Sequence, residues 1–320
     1  MSGKTKNPQL VRRKGGFVLE MKRNWGYYLM IVPAALVLFA FAYVPLPGLI
    51  LAFQDFNVID VFRSPWVGLR NFEFFFQSGA AWRTTRNTMW LNFQFLLWVN
   101  VISITLAILL NELRSRGSKR FYQNAMFLPF FFSVVIVSQI VVRVVFNDGM
   151  GIANQLITFF GGDQVTWTRD PEPWAWIVVF AAVWMAFGHQ SIIYLAAISG
   201  IDSQLYEAAA IDGASRIRQI WHITLPMLLP TIIILALLAI GGMLRGNFGL
   251  VWNMVYGIDR PQLGIYTDII DTFVFRNIMR TPINFSIAAA VGLYQSFVGF
   301  VLVFGSNWLV KRYEKDYALF

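Results

Sequence analysis

Six apolar runs dominate this sequence, at about 27–51, 88–110, 122–146, 174–198, 227–245 and 284–309. Each approaches the roughly 20 residues a helix needs to cross a bilayer. Backbone amides inside hydrocarbon must find partners within the chain, so runs of this length specify helices. The chain has 57% apolar and 13% charged residues, against about 45–50% and 25% in a soluble domain. Its mean hydropathy is +0.56. The expectation is an integral membrane protein, since 320 residues hold about five to seven such helices with short connections. Pro33, Pro45, Pro129 and Pro230 fall in or at the ends of the runs, where neighbouring helices satisfy the freed carbonyls. No cysteine is present, which excludes a disulfide framework and a thiolate metal site.

A formal charge of +9 could suggest nucleic acid, but its distribution points elsewhere. Lys4, Lys6, Arg12, Arg13, Lys14, Lys22 and Arg23 precede Trp25, as in a cytoplasmic tail beside a first membrane helix. The following run exceeds the h-region of a signal peptide and lacks a small-residue cleavage site, so it reads as retained. Six crossings put both termini on one side, and Lys119, Lys311 and Lys315 then join the tail lysines there. The positive-inside rule makes that side the cytoplasm. Arg63, Arg70, Arg83, Arg86, Arg169, Arg260, Arg276 and Arg280 fall in the opposite loops, two of which are long enough to weaken the rule. The expected organisation is a tail over 1–24, a six-helix domain over 25–311 with an insert at about 200–226, and a cytoplasmic tail over 312–320.

The insert contains "YEAAAIDGASRIRQIWHITLPM", Tyr206 to Met227. Residues 206–210 are good helix formers, with Asp202 or Ser203 available as a cap. Gly213 breaks or bends that helix, and Ile217, Ile220 and Trp221 restart an apolar stripe at helical spacing. Pro226 marks the return to the membrane. Two short helices hinged at a glycine suit docking into a cytoplasmic partner, and equally suit a helical connecting loop.

Glu207, Ala208, Ala209, Gly213, Ile223, Leu225 and Pro226 reproduce the pattern EAAx3Gx9IxLP without a gap. With it stand "YVPLPGLILAFQDFN", "SPWVGL" and "AVGLYQSFVGFVLVFGSNWLVKR". By these motifs the chain resembles the permease subunits of binding-protein-dependent ABC importers over about Tyr28 to Lys311. It is similar to the carbohydrate group, and within it to importers of pectin-derived and alginate-type saccharides. The resemblance implies an all-α, six-helix type I importer permease, with the first helix wrapping a neighbour. It implies that the helix around Glu207, with Ala208, Ala209, Asp212 and Gly213, sits in a cleft of an ATPase subunit. Glu207 would face a basic group there, Gly213 would supply the bend, and Ile223, Leu225 and Pro226 would stiffen the link to the fifth span. ATP and magnesium would belong to those subunits, leaving no cofactor or catalytic residue in this chain. "GKT" at Gly3 to Thr5 matches only the tail of a phosphate-binding loop.

The implied assembly comprises a second, related permease chain, two ATPase subunits and an extracytoplasmic solute-binding protein in a bacterial inner membrane. The cargo is an oligosaccharide. Amides and hydroxyls inside the spans suit a sugar, and equally glue helices together. Asn92, Gln94, Asn100, Ser138, Gln139, Gln190, Asn247, Tyr294 and Gln295 are the uncharged candidates. Arg143 and Arg245 stand apart, because a buried guanidinium costs about 2.5–3.5 kcal/mol on insertion scales unless it snorkels or pairs. Arg245 lies in "AIGGMLRGNFGLVWN", where glycines loosen the helix, and arginine binds carboxylates in a bidentate way. An acidic, uronate-containing saccharide follows as the expected cargo, with a neutral oligosaccharide as the alternative. His189 beside Gln190 raises a proton relay, but no acidic residue lies mid-span, which disfavours a secondary transporter. HExxH, a cytoplasmic DxD and GxSxG are all missing, which leaves a membrane enzyme unsupported.

Overall fold

The computed structural model describes residues 17–57, 63–256, 261–279, 283–314 and 318. Lys4 to Lys14 of the basic tail, Arg260, Arg280 and Lys315 lie outside them. Helices account for nearly all of the described secondary structure, and the isolated bridge between Gln54 and Trp66 is the sole strand-like pairing among these residues. In chain order the helices are α1 (Phe17–Arg23), α2 (Trp25–Phe53), α3 (Arg70–Gln77), α4 (Ala80–Glu112), α5 (Arg116–Phe131), α6 (Val134–Val145) and α7 (Ile152–Phe159). They continue as α8 (Glu172–Ser199), α9 (Ser203–Ile211), α10 (Arg216–Gly241), α11 (Phe248–Val251, prolonged by Trp252–Tyr256), α12 (Gly264–Thr267), α13 (Ile270–Met279) and α14 (Phe285–Tyr313).

Five helices are each long and apolar enough to cross a membrane: α2, α4, α8, α10 and α14. The third expected span, 122–146, is not one straight helix. It is the pair α5 and α6, bent by 88°. Pro129 removes a backbone donor, and Phe132 and Ser133 adopt extended conformations at the break. Counting the pair once gives six crossings. The chain separates into two compact units, Met1–Ile50 and Leu51–Phe320. Within the first, no side chain of Trp25–Leu38 is buried.

In the second unit α4 packs along α8, and α10, α11 and the buried Ile269 close over the pair. Trp174, Val178, Val179, Val183, Leu250 and Met254 form the largest core cluster. Gly188 lets α5 approach α8, since a Cβ there would lie 1.8 Å from the Met126 carbonyl oxygen. Near the 200–226 insert, Ala107, Leu110, Tyr194, Ile198 and Leu228 make a second cluster. At the other end, the connection between α10 and α14 folds into α11, α12 and α13. Asn87 donates to the carbonyls of Ile265 (3.1 Å) and Asp268 (3.2 Å), and Thr88 Oγ1 accepts the Ile270 N–H at 3.0 Å. These bonds anchor the connection to α4.

The fifth span differs from expectation at both ends. It begins at Arg216 and stops at Gly241, so the second half of the insert is the first part of the span helix, not a separate short helix. Pro226 lies inside this helix, one of its backbone positions lacking an N–H, and the widened turn Ile220–Thr224 just before it relieves the crowding a proline ring imposes on the carbonyl four residues back. Arg245 and Asn247 consequently sit past the helix end, in a turn.

Candidate functional site

That turn borders a cavity of about 300 Å³ between α4, α8 and the end of α10. Asn92, Arg245 and Asn247 supply its polar atoms, and Leu91, Phe95, Val178, Ala182 and Val251 are among its apolar walls. A second cavity, about 480 Å³, opens between α10 and α14 and is lined by Arg245, Gln295 and Ser296. Arg245 and Gly242 belong to both walls. Arg245 is exposed to this space, so its guanidinium escapes the cost of burial in hydrocarbon by facing a cleft.

The turn is held from two sides. Asp271 on α13 accepts the Gly246 N–H at 2.6 Å and a bond from Gln295 Nε2 at 3.1 Å. Gln295 also donates to the Leu244 carbonyl at 2.5 Å. Space at Gly246 is tight: a Cβ would fall 2.4 Å from Ile269 Cδ1 and 3.4 Å from Asp271 Oδ2, so the end of the Ile269 side chain would have to shift. Asn247 accepts the Leu250 N–H at 3.4 Å and so caps α11. The arrangement presents one fixed-charge fork and two amides to a cleft, suited to a ligand bearing carboxylates and hydroxyls.

The other polar residues singled out in the sequence are placed differently. Asn100 accepts hydrogen bonds from Gln190 Nε2 at 2.9 Å and from the Tyr194 hydroxyl. These three tie α4 to α8 and line neither cavity. Tyr294 pairs its hydroxyl with Thr85 at 3.1 Å and packs edge-on to Phe75 and Phe76. Gln139 and Arg143, on α6, also lie outside both linings. His189 stacks on Phe130 at 4.8 Å. The clamp residue Asp271 was not among the expected site residues, because nothing local in "TDIIDTFVF" distinguishes it from a solvated acid.

A charged cluster lies at the same end. Asp268, 2% exposed, is gripped by Arg276 through two bonds of 2.7 Å and meets Arg83 at 3.3 Å. Thr272 donates to it at 2.8 Å. The Arg276 guanidinium stands 4.4 Å from the Tyr256 ring centre. Burial would lower the pKa of Arg276, but the hydrogen bond and charge of Asp268 outweigh it and hold the guanidinium protonated. Burial first, and Asp268 second, push the Tyr256 phenol well above its usual range.

The insert is built as a rigid elbow. Asp202 caps α9 by accepting the Gln204 N–H at 3.0 Å. At its other end Gly213 adopts φ +76°. The Gly213 N–H bonds the Ala210 carbonyl at 3.1 Å and the Ala214 N–H bonds the Ala209 carbonyl at 2.8 Å, the pair of bonds that closes a helix through a left-handed residue. Ser215 then caps α10, and Tyr206 ties α9 to it through Thr224 at 2.9 Å. Glu207, Ala208, Asp212 and Pro226 are exposed, whereas Ala209, Ile223 and Leu225 are half-buried. Ile211 is 86% and Trp221 65% exposed. Glu207, Ala210, Gly213, Arg216 and the buried Gln219 surround an open hollow of about 650 Å³.

Six crossings, a cleft reached from the spans and a rigid polar elbow at one end define the membrane subunit of a transport system. The chain belongs to the family described as the binding-protein-dependent transport system inner membrane component, which matches residues 99–315. Protein LplB of Bacillus subtilis (strain 168) is 35% identical over 311 residues, covering 97% of this chain and 96% of that one. The polygalacturonan/rhamnogalacturonan transport system permease protein YteP of the same organism is 37% identical over 290 residues, 90% of this chain and 88% of its own. Among solved structures, a chain of a bacterial ABC transporter involved in import of the acidic polysaccharide alginate superposes with a TM-score of 0.82 at 32% identity. That match covers 92% of this chain and 97% of the other. A chain of the bacterial alginate ABC transporter in complex with an alginate pentasaccharide-bound periplasmic protein matches with a TM-score of 0.83 and the same identity and coverage.

Proposed function

We propose that this chain forms half of the membrane pathway of an ATP-driven importer for an acidic, uronate-containing oligo- or polysaccharide. The observation that carries the reading is Arg245, an exposed guanidinium in the wall shared by two intramembrane cavities, on a turn clamped by Asp271 and Gln295. A uronate carboxylate would meet the Arg245 fork, and Asn92 and Asn247 would meet ring hydroxyls. The names of similar proteins support this chemistry, since they speak of polygalacturonan/rhamnogalacturonan transport and of alginate import.

The second permease subunit would complete the pathway, and two ATPase subunits carrying ATP and magnesium would receive the α9 elbow and its equivalent. An extracytoplasmic receptor would deliver the saccharide to the end formed by α7 and α11 to α13. Both termini would then lie in the cytoplasm, an orientation that the lysine distribution supports. ATPase closure would push on Glu207 and the α9 surface. Because α10 is one helix from the elbow to the cavity, that displacement reaches the Arg245 turn directly.

The test is uptake of a uronate oligosaccharide and of a neutral one of equal length by the reconstituted importer, with wild type and Arg245→Gln. The expected outcome is an affinity loss of about 10-fold or more for the uronate substrate, the order of one charge-assisted hydrogen bond (~1.5–3 kcal/mol), with neutral uptake little changed. Equal loss for both substrates, or transport of the neutral sugar alone, sinks the acidic reading in favour of a neutral oligosaccharide.

A further inference from the structure

A third cavity, about 280 Å³, lies at the α7 end of the spans and is lined by Arg86, Asn87, Trp90, Glu172, Ala175, Trp176 and Tyr266. It plays no part in the pathway described above. On α4 its residues Arg86, Asn87 and Trp90 share one helical face, while Leu91, Asn92, Phe95 and Leu96 of the Arg245 cavity share the opposite one, at about 100° per residue. On α8 Ala175 lies on the same face as Val178, Val179 and Ala182 of the Arg245 cavity, so the third cavity is a separate one nearer the starts of α4 and α8.

Its contents are unusual for a helix surface. Trp90 and Trp176 meet edge to face at 5.0 Å and, with Tyr266, form an aromatic floor. Arg86 is held in place by Asn87, whose Oδ1 accepts from Nη2 at 3.0 Å and Nε at 3.3 Å. Asn87 is itself buried and fixed to the carbonyls of Ile265 and Asp268. Glu172 opens α8 on the other side and forms no ion pair among the described residues. One cavity thus offers a cation and an anion that do not neutralise each other, separated by an aromatic floor.

Depth identifies what such a site meets. The 33 residues of α4 and 28 of α8 correspond to about 50 Å and 42 Å at 1.5 Å per residue, against about 30 Å of hydrocarbon. Centred on the membrane, they extend roughly 10 Å and 6 Å beyond it at each end. Arg86, about 9 Å from the start of α4, and Glu172 to Trp176 fall within that headgroup layer. Trp90, about 15 Å from the start of α4, lies about 5 Å inside the hydrocarbon.

We infer that this cavity is a headgroup site for a zwitterionic phospholipid of the phosphoethanolamine type. The phosphate takes the Arg86 fork, the primary ammonium donates to Glu172 and lies over the Trp176 or Tyr266 ring, and the acyl chains descend past Trp90. A choline headgroup has no N–H to give Glu172, and a glycerol headgroup has no cation, so the charge pair selects among lipids.

The test is native mass spectrometry of the full chain, in its assembled importer, released from nanodiscs of equal parts phosphatidylethanolamine, phosphatidylcholine and phosphatidylglycerol. The expected result is preferential retention of phosphatidylethanolamine, falling about 10-fold in Arg86→Gln and in Glu172→Gln and unchanged in Arg169→Gln, an exposed arginine at the same end of the fold. Equal retention of the three lipids by the wild type overturns the proposal without recourse to any variant. So does an absence of retained lipid, which would mean that another subunit covers the cavity. Displacement of the lipid by a uronate oligosaccharide would also overturn it, by making the cavity a saccharide site.

Discussion

At the scale of single residues, two charged groups near one end of the spans have opposite duties. Arg245 is exposed to a cleft on a turn held by bonds at Leu244 and Gly246, and its guanidinium has no partner among the described residues, which leaves it for a ligand. Arg276 is committed to Asp268. Asp268→Ala would leave Arg276 part-buried with its anion gone, and breaking a buried pair from one side costs about 3–5 kcal/mol. The expected outcome is a marked fall in apparent Tm of the detergent-purified protein, whereas Arg245→Gln leaves the Tm near wild type. The sequence singled out Arg245 because an arginine in a glycine-rich, membrane-depth segment is anomalous on its own. It could not single out Asp271 or Asp268, because their importance lies in Gly246, Arg83 and Arg276, which only folding brings beside them.

At the scale of elements, the elbow and α10 form one mechanical unit. Gly213 at φ +76° is in the left-handed region, which costs other L-residues about 1–2 kcal/mol and which proline, locked near −65°, cannot enter. Gly213→Pro would therefore break the two bonds that close α9. Glu207→Lys would reverse the charge on an exposed face without disturbing the fold. Each is expected to insert normally yet to lose coupling, so that proteoliposomes hydrolyse ATP with substrate uptake reduced at least about 10-fold. Wild-type uptake by both would remove α9 as the lever. The motif and its caps were legible in the sequence because caps, glycine turns and apolar stripes are local patterns. The continuity of α10 was not, since Pro226 reads as a boundary and only a widened turn accommodates it. The 88° bend between α5 and α6 was hidden for the reverse reason: an unbroken apolar run does not reveal that the chain unwinds at Phe132 and Ser133.

At the scale of the whole molecule, the Arg245 turn stands between two open cavities, one bordered by α4, α8 and the end of α10 and the other by α10 and α14. Under the proposed function, a second permease subunit would complete the pathway beside these cavities. The purified chain alone is expected to show no ATP hydrolysis, and the complex with ATPase subunits and receptor is expected to show hydrolysis stimulated several-fold by saccharide. Saccharide uptake by this chain without those subunits would refute the assignment. By itself the sequence determined the membrane class, the number of crossings, the polar elbow and its family, because apolar length and short motifs act over neighbouring residues. Tertiary structure alone decided which polar residues meet a cavity. Asn100, Gln190 and Tyr294 are as polar as Asn92 and Asn247, but helix rotation turns the first three onto neighbouring helices and Asn92 toward open space, where the turn after α10 also brings Asn247. That rotation is set by packing among side chains far apart in the chain, such as Val178, Leu250 and Ile269, and no local pattern encodes it.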